Sequence, residues 1–217
     1  TSAVPVLHPY TLWLCLGILV LLTLVNLRGT FEAGLVFAIP TYLFVLSFGG
    51  GVVAYGVWQA VLAGGDPVPV VPPPAAPVEA GAAVSIWMLL RAFASGCTAM
   101  TGVEAVSNGV SAFRDPTVTY AHRTLTAIVV LLGLLLAGIA YLAGAYHTLA
   151  MDQSEPGYQS ILSQLTAAVV GHGAFYFIAM ASVLAVLCLS ANTSFAGFPR
   201  LCRQVARDGY LPRAFAM

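Results

Sequence analysis

Five long apolar runs constrain this chain more than any other feature. A helix needs about 20 mostly apolar residues to cross a hydrocarbon core of about 30 Å, and in lipid it satisfies its own backbone hydrogen bonds. We therefore predict an all-α polytopic membrane protein with a single membrane domain over residues 1–217. Pro40 and the three glycines at 49–51 predict a bend in the second span. Numbered one to five, the transmembrane spans are expected at about residues 10–27, 35–62, 87–110, 125–146 and 173–192.

The composition agrees with a membrane protein and excludes other classes. Of the 217 residues, 59% are hydrophobic and 7% are charged, which no ordinary soluble domain matches. The net charge is zero, and the eight basic residues, all arginine, are scattered along the chain, so no nucleic-acid partner is expected. The sequence contains no HExxH, no GxSxG and no cluster of His and Asp ligands, so we expect neither an enzyme nor a metal site nor a cofactor.

Arginine is confined almost entirely to one side of the predicted spans. Basic residues are enriched in the short loops on the cytoplasmic side of a membrane. We therefore expect a protein of the plasma or inner membrane, with residue 1 on the outer side and residue 217 on the cytoplasmic side. The arginine-rich segment 199–217 is expected to be amphipathic and to lie along the cytoplasmic surface, where arginine meets anionic lipid. Seven arginines follow spans one, three or five, and the segments on the other side have none: Arg28, Arg114, Arg123, Arg200, Arg203, Arg207 and Arg213.

The two ends of the chain predict that it is a piece of a longer protein. It begins at Thr1 without an initiator methionine or a signal-peptide pattern, and it stops at Met217 inside the arginine-rich segment. Its expected partners are therefore the remaining helices of that protein, together with membrane lipids and a small-molecule or ion substrate.

Span three carries the residues that most strongly predict a function. A glutamate near the middle of a membrane is costly and normally faces a cavity or a partner, as we expect for Glu104. Glycines around it weaken the helix and leave backbone groups available to a ligand. Close helix packing would also explain the glycines, but packing does not require a carboxylate. The candidate substrate-binding residues are Ser95, Thr98, Thr101, Gly102 and Val103, and the candidate coupling or gating residues are Glu104 and Asn108.

A second polar cluster ends span five. Asn192, Thr193 and Ser194 place three side-chain oxygens in a row near the cytoplasmic end, and hard cations prefer oxygen ligands. The same hydroxyls and amide would also serve to satisfy backbone carbonyls or to cap the helix. From these residues alone both interpretations stay open.

Several motifs resemble the amino acid/polyamine/organocation permease superfamily. They are GVEAVS at 102–107, SANTSFA at 190–196 running into FPRL at 198–201, and ARDGYLPR at 206–213. The resemblance covers nearly the whole chain, including NLRG at 26–29 and PTY at 40–42. The ARDGYLPR element is fairly specific, whereas GVE alone would be weak.

The resemblance implies an architecture and roles for the two clusters. The five spans would be helices four to eight of a ten-helix, inverted-repeat (LeuT-like) transporter core. Span three would be the sixth helix, broken near Thr101 and Gly102, and would form the substrate site together with the first helix. Glu104 matches a family glutamate implicated in proton coupling or gating. Asn192 and Thr193 fall where sodium-coupled members bind a cation, but this chain contains no lysine, which some proton-coupled members use instead, so H⁺ and a monovalent cation both remain possible coupling ions.

The predicted function is secondary active transport, with amino-acid uptake by alternating access. The alternative within transport is potassium import, because a potassium-importing branch of the same superfamily also carries the TGVEA pattern followed by Ser-Asn, as residues 101–108 do here. An alternative of another class is a structural or receptor-like membrane protein, which would not require Glu104.

Overall fold

The computed structural model describes residues 4–27, 33–74, 85–97, 115–151, 157–212 and 214. Within these ranges it gives residues 5, 6, 8, 25–27, 33–37 and 192–200 through the backbone alone. The described residues form helices, turns and loops without a strand, which confirms the all-α prediction. The chain divides into two compact units. One combines Thr1–Pro74 with Leu142–Met217, and the other is Ala75–Tyr141.

The first unit begins with two helical stretches. A 3₁₀ turn, Pro5–Tyr10, leads into α1, Thr11–Leu27, whose bounds agree with predicted span one. Span two is a continuous helical rod made of α2, Ala33–Phe44, a π-helix called π1, Val45–Ala54, and α3, Tyr55–Leu62.

The three glycines for which a bend was predicted, Gly49, Gly50 and Gly51, lie in this π-helix, and a π segment is one of the usual causes of a bend in a helix. Glycine holds an α-helix poorly, and the wider π turn is a rare alternative that is frequent at functional sites. A Cβ atom on Gly51 would overlap the ring of Phe175, so the missing side chain permits close approach of the helix Ala174–Arg207, which carries Phe175. The glycines therefore change the width of the helix without breaking it.

A short helix that was not predicted lies in the segment 147–170. Helix α6, Ile161–Val170, begins at Ser160, whose hydroxyl accepts a hydrogen bond from the Ser163 amide. Residues 163–169 are all buried, and Ser163, Gln164 and Thr166 are polar, so this part of α6 is enclosed on every side. The segment 63–85, which contains six prolines and is called the proline-rich segment, contacts α6 at Val70, whose amide donates to the Ala168 carbonyl at 2.8 Å.

Helix α7, Ala174–Arg207, completes the first unit and is longer than predicted span five. It continues through Pro199, so the part of the predicted amphipathic segment before Asp208 extends α7 instead of forming a separate element. Proline removes one backbone hydrogen bond, and most residues of the following stretch, Leu201 to Arg207, are good helix formers. In the first unit α7 packs against α1, α2, π1 and α6.

The second unit contains α4, Ile86–Cys97, and most of α5, Thr117–Ala145. Helix α5 starts eight residues before the predicted span, because His122 and Arg123 belong to its first turns. The end of predicted span three, residues 98–110, lies outside the described residues.

Three helical stretches are long and apolar enough to cross a membrane, judged over the described residues. They are Ala38–Leu62, Thr117–Ala145 and Ala174–Ala191, while Thr11–Leu24 and Ile86–Cys97 are shorter apolar helices. Only 6% of the apolar window of α5 is buried, so most of its surface is available to lipid or to other helices.

Candidate functional site

The predicted substrate cluster falls mostly outside the described part of the chain. Ser95 is described, and it is exposed in the last turn of α4. The other members of the cluster stay predictions, and the structure does not test whether they come together: Thr98, Thr101, Gly102, Val103, Glu104 and Asn108.

The second predicted cluster is placed by its backbone. Asn192 and Thr193 lie within α7, and their side chains are outside the described residues. They follow Ser182 by ten and eleven residues, which is about three helical turns or about 15 Å along the axis. Because all three residues lie on one helix, the contacts of Ser182 with neighbouring elements help to position the backbone of Asn192 and Thr193.

Ser182 is held at the contact between α7 and π1. Its hydroxyl oxygen lies 3.0 Å from that of Ser47, and both side chains are buried. Ser47 also donates to the Leu43 carbonyl at 2.6 Å, and Ser182 to the Ala179 carbonyl at 2.7 Å. Hydroxyl groups that bond across helices are a common source of specific packing in membranes.

A second buried hydroxyl pair joins α7 to α6. The Ser163 hydroxyl lies 2.7 Å from the Tyr176 phenol oxygen, and neither residue is more than 1% exposed. The ring of Tyr176 also meets His172 edge-on, with centroids 4.7 Å apart. We call Ser47, Ser163, Tyr176 and Ser182 the hydroxyl cluster. Its two pairs connect α7 to two neighbouring elements, π1 and α6.

Gln164 of α6 bridges two parts of the loop between α5 and α6 through hydrogen bonds. The amide nitrogen of Gln164 donates to the carbonyls of Leu149 and Gln159, at 3.0 and 2.9 Å. Its amide oxygen and the hydroxyl of Thr148 are both buried, and neither has a hydrogen-bond partner within the described residues. Two buried polar atoms without partners are an exception in a folded protein.

An amide and two phenols connect α3 to the end of α5. Tyr146 donates to the Gln59 amide oxygen at 3.2 Å, and the Gln59 amide nitrogen donates to the Tyr55 hydroxyl at 2.9 Å. Nearby, His147 lies 3.8 Å from Asp66, but both side chains are more than 80% exposed. An ion pair so exposed contributes little to stability.

One cavity of about 450 Å³ lies along α7. Its wall on that helix includes Phe177, Met180, Leu184 and Leu187. Leu7 of the 3₁₀ turn and Leu162 of α6 also line it. Apart from Ser160 the lining side chains are apolar, so the cavity has almost no group that would bind an ion or a zwitterion. We do not assign the substrate to it.

The described residues contain no group of three or more His, Cys, Asp or Glu side chains that would hold a metal ion. The hydroxyl cluster was missed by sequence reasoning, although a weak signal was present. Ser47 and Ser182 each interrupt a long apolar stretch, and a hydroxyl at such a position normally finds a partner.

Comparison with known proteins gives two findings. A family model described as amino acid permease matches residues 3–217. The potassium transporter KimA of Bacillus subtilis (strain 168) is 35% identical over 220 residues, which cover 100% of this chain and 34% of KimA. The chain thus spans about a third of the length of this curated relative.

Proposed function

This chain belongs to the amino acid permease family and is part of a multi-pass protein of the plasma membrane. We propose that the full-length protein is a secondary active transporter of potassium. The choice of potassium as the substrate rests on the 35% identity to a potassium transporter along the whole chain. It favours the potassium alternative over the amino-acid uptake that the sequence first suggested.

The candidate residues of span three suit a potassium ion. A dehydrated potassium ion is bound by rings of oxygen atoms, and Ser95, Thr98 and Thr101 offer hydroxyl oxygens in one short stretch. A helix that opens at Gly102 would add backbone carbonyls to this set. In this proposal Glu104 couples the site to movement of the helices, since its charge changes when it takes up or releases a proton.

In the proposed cycle α7 belongs to the static part of the protein. The hydroxyl cluster connects α7 to π1 and α6. In the proposed cycle α7 stays in place with these two elements while span three moves. Asn192 and Thr193 would then present their oxygens from a rigid support, about three turns from Ser182. Alternating access requires such a division between fixed and moving helices.

Amino-acid uptake is the second candidate. It is favoured by the description of the family model, which is amino acid permease and covers nearly the entire chain. A zwitterion would use the backbone amides and carbonyls near Gly102 more than the hydroxyls. An enzymatic or purely structural role would leave the identity to a transporter without an explanation.

Growth of a bacterial strain that lacks its own potassium uptake systems tests the proposal. The full-length protein should restore growth at limiting potassium, and excess amino acids in the medium should not reduce this rescue. Failure to restore growth, with normal amounts of protein in the membrane, contradicts potassium uptake. Rescue of an amino-acid auxotroph at limiting amino acid would then favour the second candidate.

A further inference from the structure

Two side-chain oxygens at the loop between α5 and α6 lack the hydrogen bonds that buried oxygens normally make. They are the Gln164 amide oxygen and the Thr148 hydroxyl, and neither has a partner within the described residues. Gln164 is 2% exposed and Thr148 is 7% exposed, so bulk water does not solvate them. When no protein group serves such an atom, an ordered water or an ion is its usual partner.

The two unpaired oxygens belong to one small region of the first unit. The Gln164 amide nitrogen donates to the Leu149 carbonyl at 3.0 Å, and Thr148 is the residue directly before Leu149. The same nitrogen donates to the Gln159 carbonyl at 2.9 Å, and each of these carbonyls has a second lone pair. The region is therefore rich in oxygen acceptors and suits a positively charged ligand.

The end of α5 places Thr148 at the negative pole of a helix. The Thr148 amide donates to the Ala143 carbonyl at 3.0 Å. The His147 amide donates to the Gly144 carbonyl at 3.3 Å, and His147 has a φ of 52°. Together they form a Schellman motif, which holds the backbone of Thr148 directly after the helix. The carbonyl end of a helix carries partial negative charge and favours a cation within its last turn.

The formal charges of this part of the chain also favour a cation. The segment 147–170 contains Asp152 and Glu155 but no arginine or lysine. Its one histidine, His147, has its Nε2 atom 3.8 Å from the Asp66 carboxylate, which offsets the charge of a proton on the ring. Because acidic surfaces raise the local concentration of cations, an ion is attracted to this loop from the outer side, where the arginine pattern predicts that the loop lies.

The kind of oxygen indicates the class of cation. Calcium and magnesium sites rely on carboxylates, and neither unpaired oxygen belongs to one. Potassium is bound by neutral oxygens, and the carbonyl ends of helices coordinate monovalent cations in transporters. We propose that the Thr148 hydroxyl and the Gln164 amide oxygen are ligands of an outer binding site for a monovalent cation. This site shares no residue with the candidate residues of spans three and five, and it does not depend on which substrate the protein transports.

Thermal unfolding of the full-length protein in detergent tests the site without relying on transport. Potassium chloride replaces N-methylglucamine chloride at constant ionic strength, and the resulting increase in unfolding temperature is measured for each variant, because a bound ion stabilises the folded state. We expect a smaller increase for Thr148→Val than for the unmodified protein, and an increase restored by Thr148→Ser, which keeps the hydroxyl. In N-methylglucamine chloride alone, Thr148→Val should unfold at the higher temperature, because it removes a buried polar group without a partner.

Thr166→Val is the matched control, since Thr166 is buried on the same helix as Gln164 but has the Leu162 carbonyl as its partner. Its potassium-dependent increase should equal that of the unmodified protein. An unchanged increase in Thr148→Val would overturn the proposal and leave a water or another part of the protein as the partner. A loss that Thr148→Ser does not restore, or an equal loss in Thr166→Val, would also overturn it, because altered packing would then be the cause. Transport of amino acids alone would refute the proposed function and leave these expected results unchanged.

Discussion

The hydroxyl oxygen of Ser47 lies 3.0 Å from that of Ser182, and each of the two oxygens also contacts a backbone carbonyl. Three contacts therefore share two hydroxyl protons, so only two of the three hydrogen bonds can exist at one time. When one hydroxyl is deleted, the other still has its own carbonyl. The pair therefore specifies how π1 and α7 align, but it contributes little to the free energy of unfolding.

Replacing Ser182 by alanine should lower the free energy of unfolding of the full-length protein by only about 0.6 kcal/mol, as for typical hydroxyl bonds between membrane helices. A double-mutant cycle with Ser47→Ala should give a coupling energy of the same size or smaller. Both are measured by reversible unfolding in mixed micelles. Thr23→Ala is the control, because the exposed Thr23 hydroxyl donates to the Leu19 carbonyl within its own helix. A coupling energy above about 2 kcal/mol would contradict the sharing of two protons.

Thr148→Val should raise the stability of the protein. The Thr148 hydroxyl is buried and has no partner among the described residues, and a buried polar group without a partner costs about 1–3 kcal/mol. Valine has nearly the same shape and removes this cost, so the unfolding temperature should increase.

Thr166→Val is the matched control for this substitution. Thr166 is also buried, but its hydroxyl donates to the Leu162 carbonyl at 2.6 Å, so valine should reduce stability by about 0.5–1.5 kcal/mol. If both variants unfold at equally reduced temperatures, the Thr148 hydroxyl has a partner in the full-length protein and the prediction is wrong.

Gly56→Ala should destabilise the first unit. A Cβ atom there would lie 3.0 Å from Val169 and 3.1 Å from Leu142, and both of these side chains are buried in the core. Overpacking of this kind typically costs about 1–3 kcal/mol. At Gly50 a Cβ atom meets nothing within 4 Å, so Gly50→Ala should be neutral or stabilising. Thermal unfolding in detergent compares them, and equal losses would refute the packing at Gly56.

The positions of the long helices could be predicted from the sequence. Hydropathy summed over about 20 residues is a local property, and it located α1, α5 and the start of α7 without knowledge of any contact. Helix α6 was missed because ten residues are too short for a span. What stabilises it is enclosure by π1 and α7, which no local pattern encodes.

The details of the site could not be predicted in the same way. Ser47 and Ser182 are 135 residues apart, so their contact depends on how π1 packs against α7. The three glycines indicated a weak α-helix, but the pattern does not specify that the chain adopts a π-helix there, because this depends on packing. For span three the sequence remains the source of the prediction, since Glu104 lies outside the described residues.

Glu104→Gln should abolish coupled uptake, because the amide has the shape of the carboxyl group but cannot exchange a proton. Glu79→Gln is the matched control, since Glu79 lies in the proline-rich segment between spans two and three and carries no proposed role. Initial rates of uptake under an inward proton gradient should fall at least about tenfold for Glu104→Gln, corresponding to about 1.4 kcal/mol, and remain unchanged for the control. Unchanged uptake by both variants would remove Glu104 from the mechanism.

The identity of the transported species is the central claim, and tracer uptake by the purified full-length protein in proteoliposomes tests it most directly. Under an inward proton gradient, labelled rubidium, as a substitute for potassium, is compared with a mixture of labelled amino acids. Potassium transport predicts that rubidium accumulates, that unlabelled potassium competes with it, and that the amino acids stay outside. Accumulation of amino acids without entry of rubidium would contradict it.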